Sequence, residues 1–274
     1  MSVRCQIIHP KASPYAEVVQ YIGLTKVTVS YSRPGVKGRK IIGDLVPYGR
    51  IWRVGANEST KFSVDRAVEV KGNPLPKGTY ALYAFPGKTE WEIVFHTNTA
   101  HWGDGRNAYD PKEDLFRIQI VPDSISQVQE NFLIAFDSLT HNSAIMVWEW
   151  EHTRLQIPIT VDTHKQMLEE INSKLNAQPT PQTYYEAARY LQEQEIQSDR
   201  AMEYIIKAIQ LGGDTYYFYR VKSLLEASKG DHRAAIASAR LSLKLAQLEE
   251  KDEFVRMNQK NIALWEANLK SIKQ

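Results

Sequence analysis

With 274 residues, 43% hydrophobic and 24% charged, the chain has the composition of an ordinary globular protein. It is long enough for two cores, at about 100–200 residues per domain. Its 34 basic and 32 acidic residues leave a formal charge of +2, which excludes bulk attraction to nucleic acid or to an anionic membrane, and its one cysteine, Cys5, excludes an intramolecular disulfide.

The N-terminal stretch MSVRCQIIHPKASPYAE has no apolar h-region, so the expectation is a cytoplasmic chain or a mature form whose export signal has been removed. The longest apolar runs, such as FLIAF at 132–136, fall far short of the ~20 residues of a membrane-spanning helix. The first strand is predicted over 26–32, where Val27, Val29 and Tyr31 alternate with Thr28, Ser30 and Ser32. A long excursion punctuated by glycines follows over 38–60. Further strands are predicted over 62–64, 67–71, 80–85, 91–96, 115–121, 131–137, 144–151 and 154–161. In 80–85, Tyr80, Leu82 and Ala84 interleave with Ala81, Tyr83 and Phe85, so this strand is expected to be covered on both faces. GNPLPKGTY (72–80), PGKTE (86–90) and HNS (141–143) carry turn chemistry. About nine short strands without helical crossovers predict a mostly β N-terminal domain over 15–161, an antiparallel β-sandwich or barrel.

From residue 163 the period becomes helical, and Ala, Leu, Gln, Glu and Lys dominate. PTPQ (179–182), LGGD (211–214) and KGD (229–231) separate successive helices. Ala201 and Ala235 stand 34 residues apart, as do Ala208 and Ser242, and Leu191 and Leu225. Small residues at that spacing let neighbouring helices approach closely, and the pattern resembles tetratricopeptide repeats over 183–246. The expectation is an all-α helical-repeat domain over 163–274, with 251–272 as a capping helix and a protein or peptide as partner. In YYFYR (216–220) a helix cannot bury every aromatic, so Tyr216 or Tyr219 is expected on an outer face.

The runs YSRPGVKGRKIIGDLVPYGRIWRVGANESTKF (31–62), LPKGTYALYAFPG (75–87) and HWG (101–103) resemble the bacterial DUF2911 family, a domain of unknown function common in Bacteroidetes. YSRP, KGR, LVPYG, WR and GANE recur in that order, and the resemblance covers about 15–161. It implies a periplasmic or envelope setting and supplies no reaction. Ile42 stands where Phe is usual in that pattern, and His96 where Asn is usual.

Three groups of residues carry candidate chemistry. Arg33, Lys37, Arg39, Lys40, Arg50 and Arg53 place six cations within 21 residues, with Asp44 alone among them. Converging guanidinium groups suit a small anionic or sugar ligand, with Asn57, Glu58 and Trp102 as further contacts. The alternative is that Arg39 and Arg53 pair with buried carboxylates, Asp44 or Glu58, to fix a long loop. Glu58 and Asp44 are also candidate acid/base groups, with Arg53 as anion stabiliser, for a hydrolase or isomerase acting on a sugar or small anion. That role requires a desolvated carboxylate. His96, His101 and Asp104 are weak candidates for metal ligands, because their spacing matches no zinc signature. No metal, no cofactor and no nucleic-acid partner is expected. No GxSxG, P-loop, GxGxxG or HExxH motif is present. The leading expectation is a non-catalytic binding module with a basic, aromatic pocket.

Overall fold

The computed structural model describes residues 9–103 and 108–271. The chain divides into two compact units, Met1–Gln166 and Met167–Gln274. The first is built from ten described strands: β1 Tyr15–Ile22, β2 Thr25–Ser32, β3 Thr60–Val64, β4 Val68–Val70, β5 Asn73–Leu75, β6 Gly78–Pro86, β7 Trp91–His96, β8 Asp114–Ile120, β9 Asp123–Asp137 and β10 Ser143–Thr160. They form a six-stranded sheet in the order β1-β2-β3-β6-β7-β8 and a four-stranded sheet in the order β5-β4-β10-β9. Every strand pairing is antiparallel.

The period-two pattern explains the core. Val27, Val29, Phe62, Leu82, Ile93 and Phe95 of the larger sheet share one buried cluster with Phe132, Ile134, Trp148 and Ile157 of the smaller. Tyr31 ties the two sheets, since its ring meets Phe132 edge-on at 5.7 Å and its hydroxyl accepts from the Ile134 amide at 2.9 Å. Trp52 stacks on Trp150 at 5.8 Å and meets Phe132 at 5.1 Å and Trp91 at 6.0 Å. Such aromatic contacts add about 0.5–1.5 kcal/mol each beyond the area they bury.

Four strands differ from expectation: β5 lies within 72–80, read as a turn, β9 begins at Asp123 and not at 131, and β10 and β1 depart further. The sequence splits β10 into 144–151 and 154–161, whereas it is one strand of 18 residues. Its register against β9 shifts on either side of Glu151, which has φ 55°. Across this irregularity the alternation of β10 changes parity, and the buried set passes from Met146, Trp148 and Trp150 to Leu155, Ile157 and Ile159. A break of parity looks like a loop to a period-two reading. The edge strand β1 was not foreseen, because Tyr15, Val19 and Tyr21 leave apolar side chains on its exposed face. The β1–β2 turn uses Gly23 at φ 54°, where a Cβ would lie 2.5 Å from the His141 carbonyl oxygen.

The excursion after β2 is pinned to β6. Trp52 and Ala84 exchange both backbone hydrogen bonds at 2.8 Å, and the Gly49 amide donates to the Pro86 carbonyl at 2.8 Å. Ile41, Val46 and Val54 bury themselves in the core as anchors.

Six helices follow: α1 Thr163–Asn176, α2 Pro181–Glu193, α3 Ser198–Gln210, α4 Tyr216–Ser228, α5 His232–Leu248 and α6 Asp252–Ser271. PTPQ starts α2 with a reciprocal cap, in which Thr180 and Thr183 each accept the other's backbone amide. Within the second unit α2 packs on α3, α4 on α5 and α5 on α6. Ala201, Ala208, Ala235 and Ser242 are fully buried, which lets these helices come close. Tyr216 packs edge-on against Phe254 of α6, centroids 4.6 Å apart, and the Tyr219 hydroxyl donates to Asp214 at 2.8 Å. No described helix is long and apolar enough to cross a membrane.

Candidate functional site

Two polar assemblies stand out in the first unit, one built on strands and one on the 38–60 excursion. The strand-built one follows from alternation. Residues of the larger sheet that do not face the core point to its other face: Lys61 of β3, Ala81 and Tyr83 of β6, Val94 and His96 of β7, Arg117 of β8. Ala81, Tyr83 and Val94 form a second buried cluster there, with Ile51, Phe85 and Tyr109 packed against it.

Polar groups are set into this apolar patch. His96 is fully buried, and its Nδ1 donates to Asp114 Oδ1 at 2.9 Å. Asp114 stands opposite His96 because the β7–β8 register shifts by one residue after Phe95, a bulge that re-aims the carboxylate. Three more donors fix that carboxylate. The Tyr109 hydroxyl lies 2.7 Å from Oδ2, and Arg117 Nε and Nη2 lie 2.7 and 2.6 Å from it. Arg117 Nη1 also meets Glu92 Oε1 at 2.6 Å. Glu113 ends a short 3-10 turn, Pro111–Glu113, capped by Asp110. Its Oε2 lies 3.3 Å from His96 Nε2 and accepts from Asn98 Nδ2 at 3.1 Å. His101, 9% exposed, has Nδ1 2.8 Å from the hydroxyl of the buried Tyr83. One nitrogen of each histidine and one Glu113 oxygen lie within 4.8 Å of one another.

Burial and the neighbouring His96 ring hold His101 below the usual imidazole range. Burial, then the hydrogen bond to Asp114, pushes the Tyr109 phenol far above its ordinary value. Burial also raises Tyr83 and lowers Lys61, whose Nζ donates to Ser59 Oγ at 2.7 Å.

The second assembly is a cleft of about 330 Å³. Lys37, Arg39, Arg53, Trp52 and Trp150 line it, and no carboxylate among the described residues does. Trp150 is 4% exposed, and its Nε1–H finds no partner among the described residues. The loop that carries the cations is tied internally. Arg39 donates to the carbonyls of Val36 and Gly35 at 3.0 and 2.6 Å, and Arg33 to that of Phe132 at 2.9 Å. Among the described residues no carboxylate forms an ion pair with Arg33, Lys37 or Arg39. The Lys37 amide donates to Glu130 Oε1 at 3.0 Å. Trp52 Nε1 donates to the Gly55 carbonyl at 3.2 Å, and the Thr60 hydroxyl to that of Val54. Gly55, at φ 137°, brings its backbone so near β2 that a Cβ would lie 2.8 Å from the Ser32 carbonyl oxygen.

The residues singled out in the sequence therefore separate. Lys37, Arg39 and Arg53 share the cleft. Asn57 donates to Ser32 Oγ at 3.0 Å and to the Ser13 carbonyl at 3.3 Å, which holds the loop to β2. Glu58 and Asp44 are exposed and neither lines the cleft. The expected pairing of Arg39 with Asp44 or Glu58 gives way to bonds with backbone carbonyls. Trp102, 73% exposed, forms an isolated backbone bridge with Glu58. The faces of Trp52 are occupied by Trp150, Trp91 and Phe132, so this indole offers no free face for stacking a sugar. His96 and His101 converge, with Glu113 as their acidic companion; Asp104 lies outside the described residues.

Sequence reasoning missed Glu113, Asp114, Tyr109 and Arg117. The available signal was parity: in WEIVFH, His96 falls on the face opposite Trp91, Ile93 and Phe95, the same face as Tyr83 across β6.

A family model described as "Protein of unknown function (DUF2911)" matches residues 13–159. No curated protein and no solved structure matches the chain.

Proposed function

The chain belongs to the DUF2911 family, and on that premise we propose that its first unit is a non-catalytic binding module of the cell envelope that holds one small anion in the basic cleft. The observation that carries this reading is the lining: Lys37 and Arg39 lie in it, no described lining residue is a carboxylate, and the lining residue Trp150 has an indole N–H without a partner among the described residues. A carboxylate- or phosphate-bearing molecule accepts from guanidinium, ammonium and indole donors alike. About 330 Å³ suits a small ligand of that kind. The rival reading, acid/base catalysis by Glu58 or Asp44, lacks support because both carboxylates are exposed and outside the cleft.

We read the second unit as a tetratricopeptide-like module for a protein or peptide partner. Support comes from α2 and α4, each of 13 residues, and from the burial of Leu191, Leu225, Ala201 and Ala235 at equivalent places. A groove of about 440 Å³ lined by Met167, Ile171, Ala187 and Tyr190 supplies a surface of suitable size.

The test of the anion reading is a thermal-shift series on the full chain with inorganic phosphate, sulfate and glucuronate, against a Lys37→Met/Arg39→Met double variant. A ligand at 100 times its Kd adds about 2.7 kcal/mol to stability. The expected result is a rise in melting temperature for the wild type that the double variant loses. Equal shifts in both proteins, or none with any anion, overturn the reading.

A further inference from the structure

We propose that His96, His101 and Glu113 bind a divalent transition-metal ion of the zinc class on the outer face of the six-stranded sheet, at a site that shares no residue with the basic cleft. Two imidazoles and one carboxylate, with no thiolate, are a donor set for zinc and for iron(II), and three protein ligands leave a position open. Donor atoms at about 2.0–2.2 Å from such an ion stand roughly 3–3.5 Å apart from one another. The 3.3 Å between His96 Nε2 and Glu113 Oε2 already has that value, and the third donor is within 4.8 Å.

Independent support lies in what surrounds these donors. His96 is fully buried with Nδ1 committed to Asp114, so Nε2 is the nitrogen left to ligate; that atom is buried and makes no hydrogen bond among the described residues. A carboxylate on the far nitrogen of a ligating imidazole fixes its tautomer and raises its basicity. Asp114 is itself immobilised by Tyr109 and Arg117, and its side chain is 7% exposed. Tyr83 fixes the His101 ring, and Asn98 holds Glu113. Every donor thus has its own support, which a plain hydrogen-bonding role for the two histidines does not require. Arg117, the guanidinium of the cluster, is offset by Asp114 and Glu92, and Lys61 is held by Ser59. Glu113, its side chain 39% exposed, leaves the donors open to solvent ions.

The experiment strips the full chain with EDTA and titrates it with Zn²⁺ by calorimetry. Co²⁺ then replaces Zn²⁺, and its visible absorption reports the donor geometry. The expected result is one equivalent bound by the wild type, with affinity lowered at least about 10-fold in His101→Ala and in Glu113→Gln. Asp114→Asn, which acts through His96, should lower it by about 10–100-fold. His152→Ala, whose ring contacts the Ile125 carbonyl elsewhere, should bind as the wild type does. Melting curves in EDTA establish that each variant is folded, and Glu113→Gln changes a part-exposed side chain least apt to disturb packing. No uptake by the wild type overturns the proposal and leaves a plain His96–Glu113 contact. Uptake that survives both His101→Ala and Glu113→Gln overturns it too, since the ion then sits elsewhere. Retention of the phosphate response by the zinc-deficient variants separates this site from the cleft.

Discussion

The two assemblies of the first unit are built in opposite ways. The His96 cluster stands on three adjacent strands, and its buried acid, Asp114, takes hydrogen bonds from His96, Tyr109 and Arg117. The cleft stands on an excursion, and Arg39 and Arg33 are bonded to carbonyls, which hold the guanidinium in place without neutralising it. The contrast teaches how a fold prepares for opposite charges. On the proposed reading, buried acceptors with fixed orientation suit a cation, and tethered cations with no acid among the described lining residues suit an anion.

The most forceful way to break this contrast is Trp52→Ala, which removes the indole between the core and the cleft. Loss of a buried tryptophan costs about 3–5 kcal/mol. Urea unfolding should show that loss; a change under about 1 kcal/mol would mean that the cleft is not an extension of the core. Next in size is Asp114→Ala, which leaves four donors, from His96, Tyr109 and Arg117, without their acceptor. It should cost about 1–3 kcal/mol in the same measurement.

A pH series sharpens the strand-built side. The Tyr109 phenol is raised by burial and by its bond to Asp114, so the folded chain keeps a proton that the unfolded chain releases above about pH 10. Its stabilisation, about 1 kcal/mol for a hydrogen bond of this kind, is complete below that pH and is lost as the pH rises beyond it. The stability gap between wild type and Tyr109→Phe should be constant at neutral pH and close in alkali. A gap that widens in alkali contradicts the assignment. The smallest effect belongs to the cleft: Arg39→Met, an exposed side chain, should change stability by less than about 0.5 kcal/mol while weakening anion binding. A larger loss would mean that its ties to the Gly35 and Val36 carbonyls hold the whole excursion in place.

Much of this was legible in the sequence. The change from period two to a helical period separates strands from helices, and PTPQ and KGD mark helix ends where α2 and α5 begin. Burial of both faces of β6 could be read from Tyr80–Phe85, where neither parity is polar. Less was legible where parity breaks, as at Glu151, because a bulge moves the pattern to the other face without changing composition. The same physics hid the His96 cluster. A bulge in β8 brings Asp114 to His96 from 18 residues away, and nothing local to WEIVFH encodes it. The cleft was half legible: the cations announce themselves by density, but their sorting into lining residues and tethers depends on where the excursion folds back onto β6.

The indole of Trp150 gives the most direct test of the anion cleft, as one of six indole N–H signals in a proton–nitrogen correlation spectrum. On titration with inorganic phosphate, the Trp150 Nε1–H resonance should move in the wild type and stay in place in the Lys37→Met/Arg39→Met variant. A Trp150 signal that stays fixed while calorimetry records phosphate binding would contradict the account, because the anion would then be held outside the cleft.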